Sequence, residues 1–317
     1  MTGEQSPGWV RGRGWGWCWG ADDEAGALNA ITPQSRLAAI ALASTGEVAD
    51  LGVTIDKGSF LWPGHVATEV ISYRTPEGIR RGGDLAPIGS DPDGLSFRTS
   101  MVVISDHAGT QIDSLAHATT GADCHWYNGF SEASWGSDFG VRRAGGDAIP
   151  PVIARGVLLD VASYLGVDAL APGQAIGSAD LQAVAKSQGT QLRTGDVVCI
   201  RTGSLRYWGE AGHDRDALAG PDTAGITLAA AQWLCEEHGP VIIASDTSTV
   251  EVIPAVDGAA AQPVHEYLLV NQGVYMGELH FLEDLAARGV HEFCYIALCP
   301  KVRGTTAGFA LRPIALL

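Results

Sequence analysis

One thirteen-residue stretch, residues 105–117, constrains this chain more than any other. It reads Ser-Asp-His-Ala-Gly-Thr-Gln-Ile-Asp-Ser-Leu-Ala-His and holds two His, two Asp and one Gln. The apolar run before it, Met101-Val102-Val103-Ile104, predicts a short buried strand, and Gly109 permits a sharp turn after that strand. A strand that ends in a turn and then delivers several potential ligands is a common way for α/β enzymes to build a site.

The polar residues of this stretch have a spacing that suits a metal site. His107, Gln111 and Asp113 lie at positions i, i+4 and i+6, and His117 follows four residues after Asp113. Imidazole and carboxylate ligands suit Zn, Mn, Fe or Ni, and an amide oxygen favours harder ions such as Mn. Because positions i and i+6 point in different directions on a helix, a turn has to separate them. The alternative is that both histidines are hydrogen-bonded core residues and that Asp113 caps a helix.

Composition and charge narrow the class of partner. The chain has 317 residues, of which 46% are hydrophobic, and a net charge of −16. An acidic surface disfavours nucleic acid and anionic membranes, so we expect a small-molecule substrate as the partner. The six cysteines are scattered without a C-x-x-C pair. We find neither a signal-peptide pattern nor an apolar run that could span a bilayer, so we expect a cytoplasmic protein.

Alternating strand and helix patterns predict the fold class. They indicate one α/β domain over residues 1–317, with a mixed buried β-sheet flanked by helices. No linker or internal repeat divides the chain. The predicted elements are a helix that begins at Thr32-Pro33, strands at 157–161, 197–201, 241–244 and 293–298, and helices at 179–188 with Ser178 as N-cap, 228–237 with Thr227 as N-cap, 264–272 and 283–288.

Three further segments stand out by composition. Residues 1–30 form a Trp- and Gly-rich N-terminal arm, which either packs on its own domain or crosses to a partner subunit near a site. Its crowded indoles are Trp9, Trp15, Trp17 and Trp19. Residues 74–95 are rich in Gly and Pro and predict a long loop, which is either a lid over the site or a surface loop. Residues 125–129, His-Trp-Tyr-Asn-Gly, are either one wall of a pocket for a planar substrate or a packed loop.

The 105–117 stretch resembles the signature of the cyclase family of metal-dependent hydrolases, H-x-G-T-H-x-D-x-x-x-H. That family includes the bacterial kynurenine formamidases and the isatin hydrolases. Gln111 departs from the pattern, because the family has His there. The matching residues are His107, Gly109, Thr110, Asp113 and His117. The resemblance extends over most of the chain and implies a single domain of swivelling β/β/α architecture. Further similar blocks are residues 22–29, 155–160, 195–203, 265–278 and 312–315.

The resemblance also implies roles for residues. His117 matches the general acid/base, which moves a proton between water and the leaving group. The implied cofactor is a divalent metal ion, Mn or Zn, and the implied assembly is a homodimer or homotetramer. Because an amide is a weaker ligand than imidazole, we predict one ion per site and not two, and loss of the metal is the alternative. The implied metal ligands are His107, Gln111, Asp113, His265 and Glu278.

The predicted reaction is hydrolysis of an amide C–N bond, in an aryl formamide or a cyclic amide, by a metal-activated water. Two alternatives stay open: a metal-dependent cyclase or dehydratase acting on polyketide-like intermediates, and a non-catalytic binding protein with a decayed site. We find no nucleotide-binding glycine motif and no serine nucleophile elbow. Asp246 is a weaker candidate to orient a ligand histidine, and His280 is a near miss beside Glu278. We expect the remaining histidines, His65, His213, His238 and His291, to be surface or packing residues.

Overall fold

The structure is a computed structural model that describes residues 19–82, 95–208, 214–218, 220, 222–256 and 261–317. Its helices are α1 Pro33–Ile40, α2 Pro76–Gly82, α3 Glu132–Trp135, α4 Val161–Leu165, α5 Ser178–Gln188, α6 Arg215–Leu218, α7 Leu228–Trp233, α8 Pro263–His265 and α9 Glu283–Arg288. Its strands are β1 Val48–Asp50, β2 Glu69–Arg74, β3 Thr99–Val103, β4 Gln111–Asp113, β5 Val152–Asp160, β6 Ala175–Ile176, β7 Val197–Arg201, β8 Gly225–Ile226, β9 Ile242–Ser245, β10 Tyr275–Glu278, β11 Glu292–Ala297, β12 Ala307–Gly308 and β13 Ile314–Leu316.

A nine-stranded mixed sheet organises the molecule, in the order β1-β13-β11-β5-β7-β9-β10-β4-β12. Strands β5, β7, β9 and β10 run parallel, and the strands on either side of them join antiparallel. The central strands are apolar and buried along nearly their whole length, which is typical of a parallel sheet covered on both faces. Helices pack against this sheet. The α/β prediction, a mixed buried sheet flanked by helices, is therefore confirmed.

Helix starts follow the sequence signals in two of three cases. Thr32 caps α1 by accepting the Ser35 N–H at 3.1 Å, and Thr227 caps α7 by accepting the Ala230 N–H at 3.2 Å. The prediction of Ser178 as an N-cap is wrong, because the helix begins one residue earlier than expected. Gly177 is the cap, and its N–H donates to the Asp180 carboxylate at 2.8 Å. Beyond α7 and α8 the chain continues as π-helical turns, so the predicted helices at 228–237 and 264–272 are present.

The prediction that residues 101–104 form a buried strand is wrong. Residues 99–103 do form a strand, β3, but it pairs with β2 in a separate two-stranded ribbon outside the main sheet. Val70 and Val102, which face each other across this ribbon, are 62% and 58% exposed. The apolar run therefore marks a surface that lacks a covering element within the described residues. In the described part of the chain, no helix is both long and apolar enough to cross a membrane.

The three segments with unusual composition differ in how much of each the structure describes and in what it forms. Within 74–95, the predicted loop is in part helix α2, and residues 83–94 lie outside the described residues. Most of the N-terminal arm, including Trp9, Trp15 and Trp17, also lies outside them. Residues 125–129 form a packed loop: the Trp126 indole N–H donates to the Arg143 carbonyl, and the Tyr127 hydroxyl donates to Asp23 at 2.8 Å.

A buried ion-pair network ties the ends of two central strands to α9. The Arg201 guanidinium, at the end of β7, donates to Asp160 at the end of β5 at 2.8 Å. It also donates to both Glu283 carboxylate oxygens, at 2.8 and 2.9 Å. The side chains of Arg201 and Asp160 are nearly inaccessible to water. Removing one member of such a network leaves the others buried without a partner.

We therefore expect Arg201→Met to lower the free energy of unfolding by about 3–5 kcal/mol, measured by urea denaturation. The matched control is Arg312→Met, because Arg312 pairs with Asp50 at the surface. That variant should lose less than about 1 kcal/mol. Equal losses in the two variants would contradict the structural importance of the buried network.

Candidate active site and metal centre

Two paired strands place three of the predicted site residues on one face of the sheet. Strand β4 runs antiparallel to β10, with Gln111 opposite Glu278 and Asp113 opposite Met276. Because side chains alternate between faces along a strand, Gln111, Asp113 and Glu278 point to the same side. The Gln111 amide donates to the Glu278 carboxylate at 2.6 Å.

Turns on either side of β4 bring in two histidines. Gly109 has a φ of +67°, and a Cβ there would lie 2.5 Å from Ile55 Cγ1, so only glycine fits this turn without strain. His107, just before the turn, places its Nδ1 3.1 Å from Asp113 Oδ1. His117 follows the strand, and its ring centroid lies 4.1 Å from that of His107.

The third histidine comes from a distant part of the chain. His265 is the last residue of the short helix α8. Its Nε2 lies 3.9 Å from Asp113 Oδ2 and 3.6 Å from Glu278 Oε1. The structure thus brings together all six predicted site residues: His107, Gln111, Asp113, His117, His265 and Glu278.

These residues form two groups that fit a metal ion, and Asp113 belongs to both. In each group the candidate ligand atoms lie within 4.8 Å of one another. We call His107, Asp113 and His117 the first trio, and Asp113, His265 and Glu278 the second trio. Three imidazoles and two carboxylates are a donor set that suits Zn or Mn.

The buried Asp113 carboxylate supports this fit. It is fully inaccessible to water, and neither of its oxygens makes a hydrogen bond of good geometry with the described residues. The Gln111 amide oxygen is also buried without such a partner. Burying a carboxylate without partners costs several kcal/mol. A divalent cation between these donor atoms would offset that cost.

Mutual charges shift the pKa values of the cluster in opposite directions. Burial alone would lower the pKa of His107, but the close Asp113 carboxylate and the other nearby carboxylates raise that pKa to about 9. Burial of His265 is likewise outweighed, by Glu251 and Glu278, and its pKa rises to about 10. Burial would raise the pKa of Asp113, but the surrounding imidazoles, first His117 and then His107, lower it to about 2.

His117 and Glu278 shift towards their neutral forms. Burial lowers the pKa of His117 to about 4, and the positive charges of His107 and His265 act in the same direction. Burial and the Asp113 charge raise the pKa of Glu278 to about 7, against the opposing effect of His265. These effects outweigh the Asp113 charge, which acts to raise the pKa of His117, and His117 is therefore a neutral imidazole at pH 7.

Glu251 touches a candidate ligand, His265, although it is not among the residues predicted from the sequence. Its carboxylate accepts the backbone N–H groups of Val264 at 3.0 Å and His265 at 3.2 Å, and it hydrogen-bonds to His265 Nδ1. This contact fixes the imidazole so that Nε2 faces Asp113. The available signal was a carboxylate in the apolar run 250–252, just after strand β9.

His107 is held in a similar way, by Thr306 and Asp106. The Thr306 hydroxyl lies 3.0 Å from His107 Nε2 and donates to Asp106 at 3.1 Å. Thr306 lies between the turn at Gly304 and strand β12, and no sequence pattern marks it. Both ring nitrogens of His107 are thus engaged, with Nδ1 turned towards Asp113 and Nε2 towards Thr306.

The prediction that Asp246 orients a ligand histidine is wrong, and the near miss His280 also lies apart from the cluster. Asp246 does not contact a histidine: it accepts the backbone N–H groups of Thr202 at 2.8 Å and Gly203 at 2.7 Å, so it caps the turn after β7. His280 points away from the cluster, and its Nε2 lies 2.8 Å from the Tyr295 hydroxyl. His65 is more than a packing residue, because it lines the cavity described next. His213 lies outside the described residues.

The cluster opens into a cavity of about 170 Å³, which we call the histidine cavity. Phe60 and Trp62 form an apolar part of its wall, and His65 lies with its ring centroid 5.6 Å from that of His107. A wider, more open space of about 570 Å³ meets the cluster at His107 and His117. A small molecule can reach both histidines through this opening.

The shared position of Asp113 gives a direct test of the metal site. We expect Asp113→Asn to lose all tightly bound Zn or Mn, because the substitution weakens both trios. Glu251→Gln should lower metal affinity by about 10–100-fold, since it frees the His265 ring. Metal content by atomic emission and titration with Zn²⁺ alone measure both effects.

The matched control is Asp246→Asn, which alters an equally buried carboxylate that holds backbone N–H groups and no histidine. Its metal content should equal that of the wild type, whatever its melting temperature. Full metal loading in Asp113→Asn would contradict the assignment of both trios.

Comparison with known proteins agrees with this geometry. A family model described as "Putative cyclase" matches residues 49–252. The crystal structure of a novel cyclase is 29% identical, with a TM-score of 0.82 over 97% of this chain and 98% of that chain. Isatin hydrolase A from Labrenzia aggregata, bound to benzyl benzoate, is 19% identical, with a TM-score of 0.62 over 90% and 98% of the two chains.

A potential metal-dependent hydrolase with cyclase activity is 15% identical, with a TM-score of 0.50 over 85% of this chain and 98% of that chain. The likeness to these last two structures concerns the fold alone. A comparison with curated proteins found no match. Because the family model matches well over half of the sequence, the chain belongs to the cyclase family.

Proposed function

We propose that this protein is a metal-dependent hydrolase that cleaves an amide C–N bond, in an aryl formamide or a cyclic amide. The observation that carries the proposal is the convergence of three imidazoles and two carboxylates beside one cavity, from three separate parts of the chain: residues 105–117, α8 and β10. Most buried polar groups in a folded protein are hydrogen-bonded, so a buried carboxylate that has only imidazoles around it and no hydrogen bond of good geometry calls for a function. The hydrolases among the fold neighbours support the same class of reaction.

The second trio is the better candidate to hold the ion. His265 is locked by Glu251, and the Gln111 amide holds one Glu278 oxygen. Gln111 replaces the imidazole that the family pattern has at this position, so the cluster offers one nitrogen ligand fewer than that pattern. This supports one ion per site, Mn or Zn. When bound, the ion supplies a Lewis acid that polarises the amide carbonyl and acidifies water.

His117 is our candidate general acid/base. It lies on the cavity wall, and its ring is not fixed by any hydrogen bond of the kind that holds His107 and His265 among the described residues. In the proposed reaction, a C–O bond to water forms and the C–N bond breaks. A ring nitrogen of His117 takes the proton from water and passes it to the leaving nitrogen.

The apolar wall of the histidine cavity suits the organic part of such a substrate. Phe60 and Trp62 line this cavity next to the polar cluster. Aromatic side chains beside a few convergent polar groups are typical of pockets for small planar molecules. They also limit the access of water, which strengthens electrostatic interactions in the site.

Formanilide and isatin test the proposed reaction with Zn- or Mn-loaded protein. We expect turnover that a chelator abolishes and that metal restores. His117→Gln should keep its metal and lower kcat by about 10²–10⁴-fold, because a positioned acid/base contributes that much. The control is His125→Gln, which alters a histidine that lines neither opening of the site and should leave kcat unchanged.

Two outcomes would overturn the assignment. Loss of metal in His117→Gln would make His117 a ligand in place of a proton carrier. Failure of the metal-loaded wild type on every amide tested would contradict the hydrolase proposal itself.

We also propose that the protein is a homo-oligomer that associates through the ribbon of β2 and β3. A two-stranded ribbon is marginal by itself in water. This one exposes apolar side chains on both faces: Val70 and Val102 on one, and Ile71 and Met101 on the other. A second copy of the chain would cover them, since the same surface occurs on each copy and a two-fold axis pairs it with itself.

We expect Val102→Lys to reduce the mass measured by light scattering to that of the monomer, because it buries a charge in the proposed contact. Leu298→Glu is the control, since Leu298 is similarly exposed, at 63%, but lies away from the ribbon. An unchanged oligomer in Val102→Lys, or a monomeric wild type, would contradict this interface.

A further inference from the structure

A second cavity adjoins the histidine cavity. It has a volume of about 150 Å³, and we call it the side cavity. Phe60, Ser248 and Leu279 line both spaces, so the two cavities are neighbours with these three residues between them. A group held in the side cavity could therefore belong to the same molecule as a group held at the histidines.

The walls of the side cavity define the chemistry it accepts. Leu170 and Leu218, together with Phe60 and Leu279, supply its apolar part. The polar part consists mainly of hydroxyl groups, from Ser204, Thr223, Thr247 and Ser248. No Lys or Arg lines it among the described residues, so nothing there would neutralise an anion.

The carboxylates of Asp222 and Asp246 also line the side cavity, but neither is placed to bind a cation in its interior. Both Asp246 oxygens already accept hydrogen bonds, from Thr202 and Gly203. Asp222 lies at the exposed rim. The side cavity therefore favours a neutral occupant with an apolar body and a polar edge.

The volume sets the size of that occupant. An apolar cavity of about 150 Å³ in another protein is known to hold benzene. A phenyl ring, or a branched alkyl group of similar size, would fill the side cavity. Enclosing it would remove apolar surface from water at roughly 25 cal/mol per Å², which favours substrates that carry such a group.

We call the three shared residues the partition between the two cavities. Among them, Leu279 has an unusual and strained backbone conformation. Its φ is +52°, in the left-handed region that leucine rarely adopts, and glycine would fit there at lower cost. Two hydrogen bonds hold it: its N–H donates to the Thr247 carbonyl at 3.0 Å, and its carbonyl accepts from the Thr110 hydroxyl at 2.7 Å. The strained backbone keeps a bulky side chain between the two cavities.

We propose that the side cavity binds a neutral, ring-sized group of the substrate, and that Leu279 determines how large that group can be. This rests on the proposed function, since the group is joined to the amide that is cleaved at the histidines. The ring would bind in the side cavity while the amide reacts at the histidines. The binding energy of the ring would then help to hold the amide in place for the reaction.

Two substitutions change the side cavity in opposite directions. Ala224→Leu adds bulk to a buried residue of its wall. Leu279→Gly removes the Leu279 side chain from between the two cavities and also relieves the positive φ. Ala287→Leu is the matched control, because it makes the same change as the first variant on the exposed face of α9.

The readout is the ratio of kcat/KM values for substrates of different size. We expect the wild type to prefer formanilide over N-methylformamide by at least about tenfold, the scale on which apolar pockets discriminate. Ala224→Leu should reduce that ratio at least fivefold, and Ala287→Leu should preserve it. Leu279→Gly should raise the rate on N-(1-naphthyl)formamide relative to formanilide. An unchanged ratio in Ala224→Leu, or no gain in Leu279→Gly, would overturn the proposal.

A binding experiment without catalysis separates this inference from the hydrolase proposal. Benzyl alcohol is a neutral ring with one polar group, and we expect calorimetry to show that Ala224→Leu weakens its binding at least tenfold. Melting temperatures confirm that the variants are folded. Failure of hydrolysis with this binding intact would contradict the proposed function alone. Equal binding of benzyl alcohol by the wild type and Ala224→Leu, or none by either, would contradict the side cavity as a subsite.

Discussion

The buried carboxylate of Asp113 is the constraint on which the rest of the site depends. A charge taken out of water without hydrogen bonds is costly, and here the compensation comes from His107, His117 and His265. Their positions require the glycine turn at Gly109, the short strand β4 and the distant helix α8. The central parallel strands give these pieces a rigid base, because they are apolar and buried almost throughout. The fold thus stabilises an arrangement that no short peptide could hold.

Local signals made half of this site predictable. Residues 105–117 are contiguous, so their donor types and the glycine turn can be identified directly in the sequence. His265 and Glu278 are far away along the chain, and only the family resemblance associated them with the signature. The roles of Glu251 and Thr306 could not be predicted, because they arise from tertiary contacts with His265 and His107. The exposure of the ribbon could not be predicted for a related reason. An apolar run predicts a strand, but it does not show whether the surface that covers the strand belongs to the same chain.

Gln111 shows how one substitution can change a site without dismantling it. An imidazole at this position would offer a nitrogen to a metal, whereas the amide donates an N–H to Glu278. The strand register makes this contact unavoidable, because Gln111 and Glu278 are direct partners across β4 and β10. A hydrogen-bond donor at that point favours the charged form of a carboxylate whose pKa burial raises to about 7. The residue that removes an imidazole from the cluster therefore helps to orient Glu278, and this contact supports the proposal of one ion per site.

The side chains of residues 278–280 lie in three different surroundings, although the residues are consecutive. Glu278 faces the histidines, Leu279 lies between the two cavities, and His280 packs inward against the Tyr295 hydroxyl. Burial lowers the pKa of His280 to about 4, so it stays neutral and anchors the turn through hydrogen bonds. The positive φ of Leu279 is what allows consecutive side chains to diverge in this way. Because the anchored turn supports both the carboxylate and the partition, the position of the reacting group and the space for the rest of the substrate are set together.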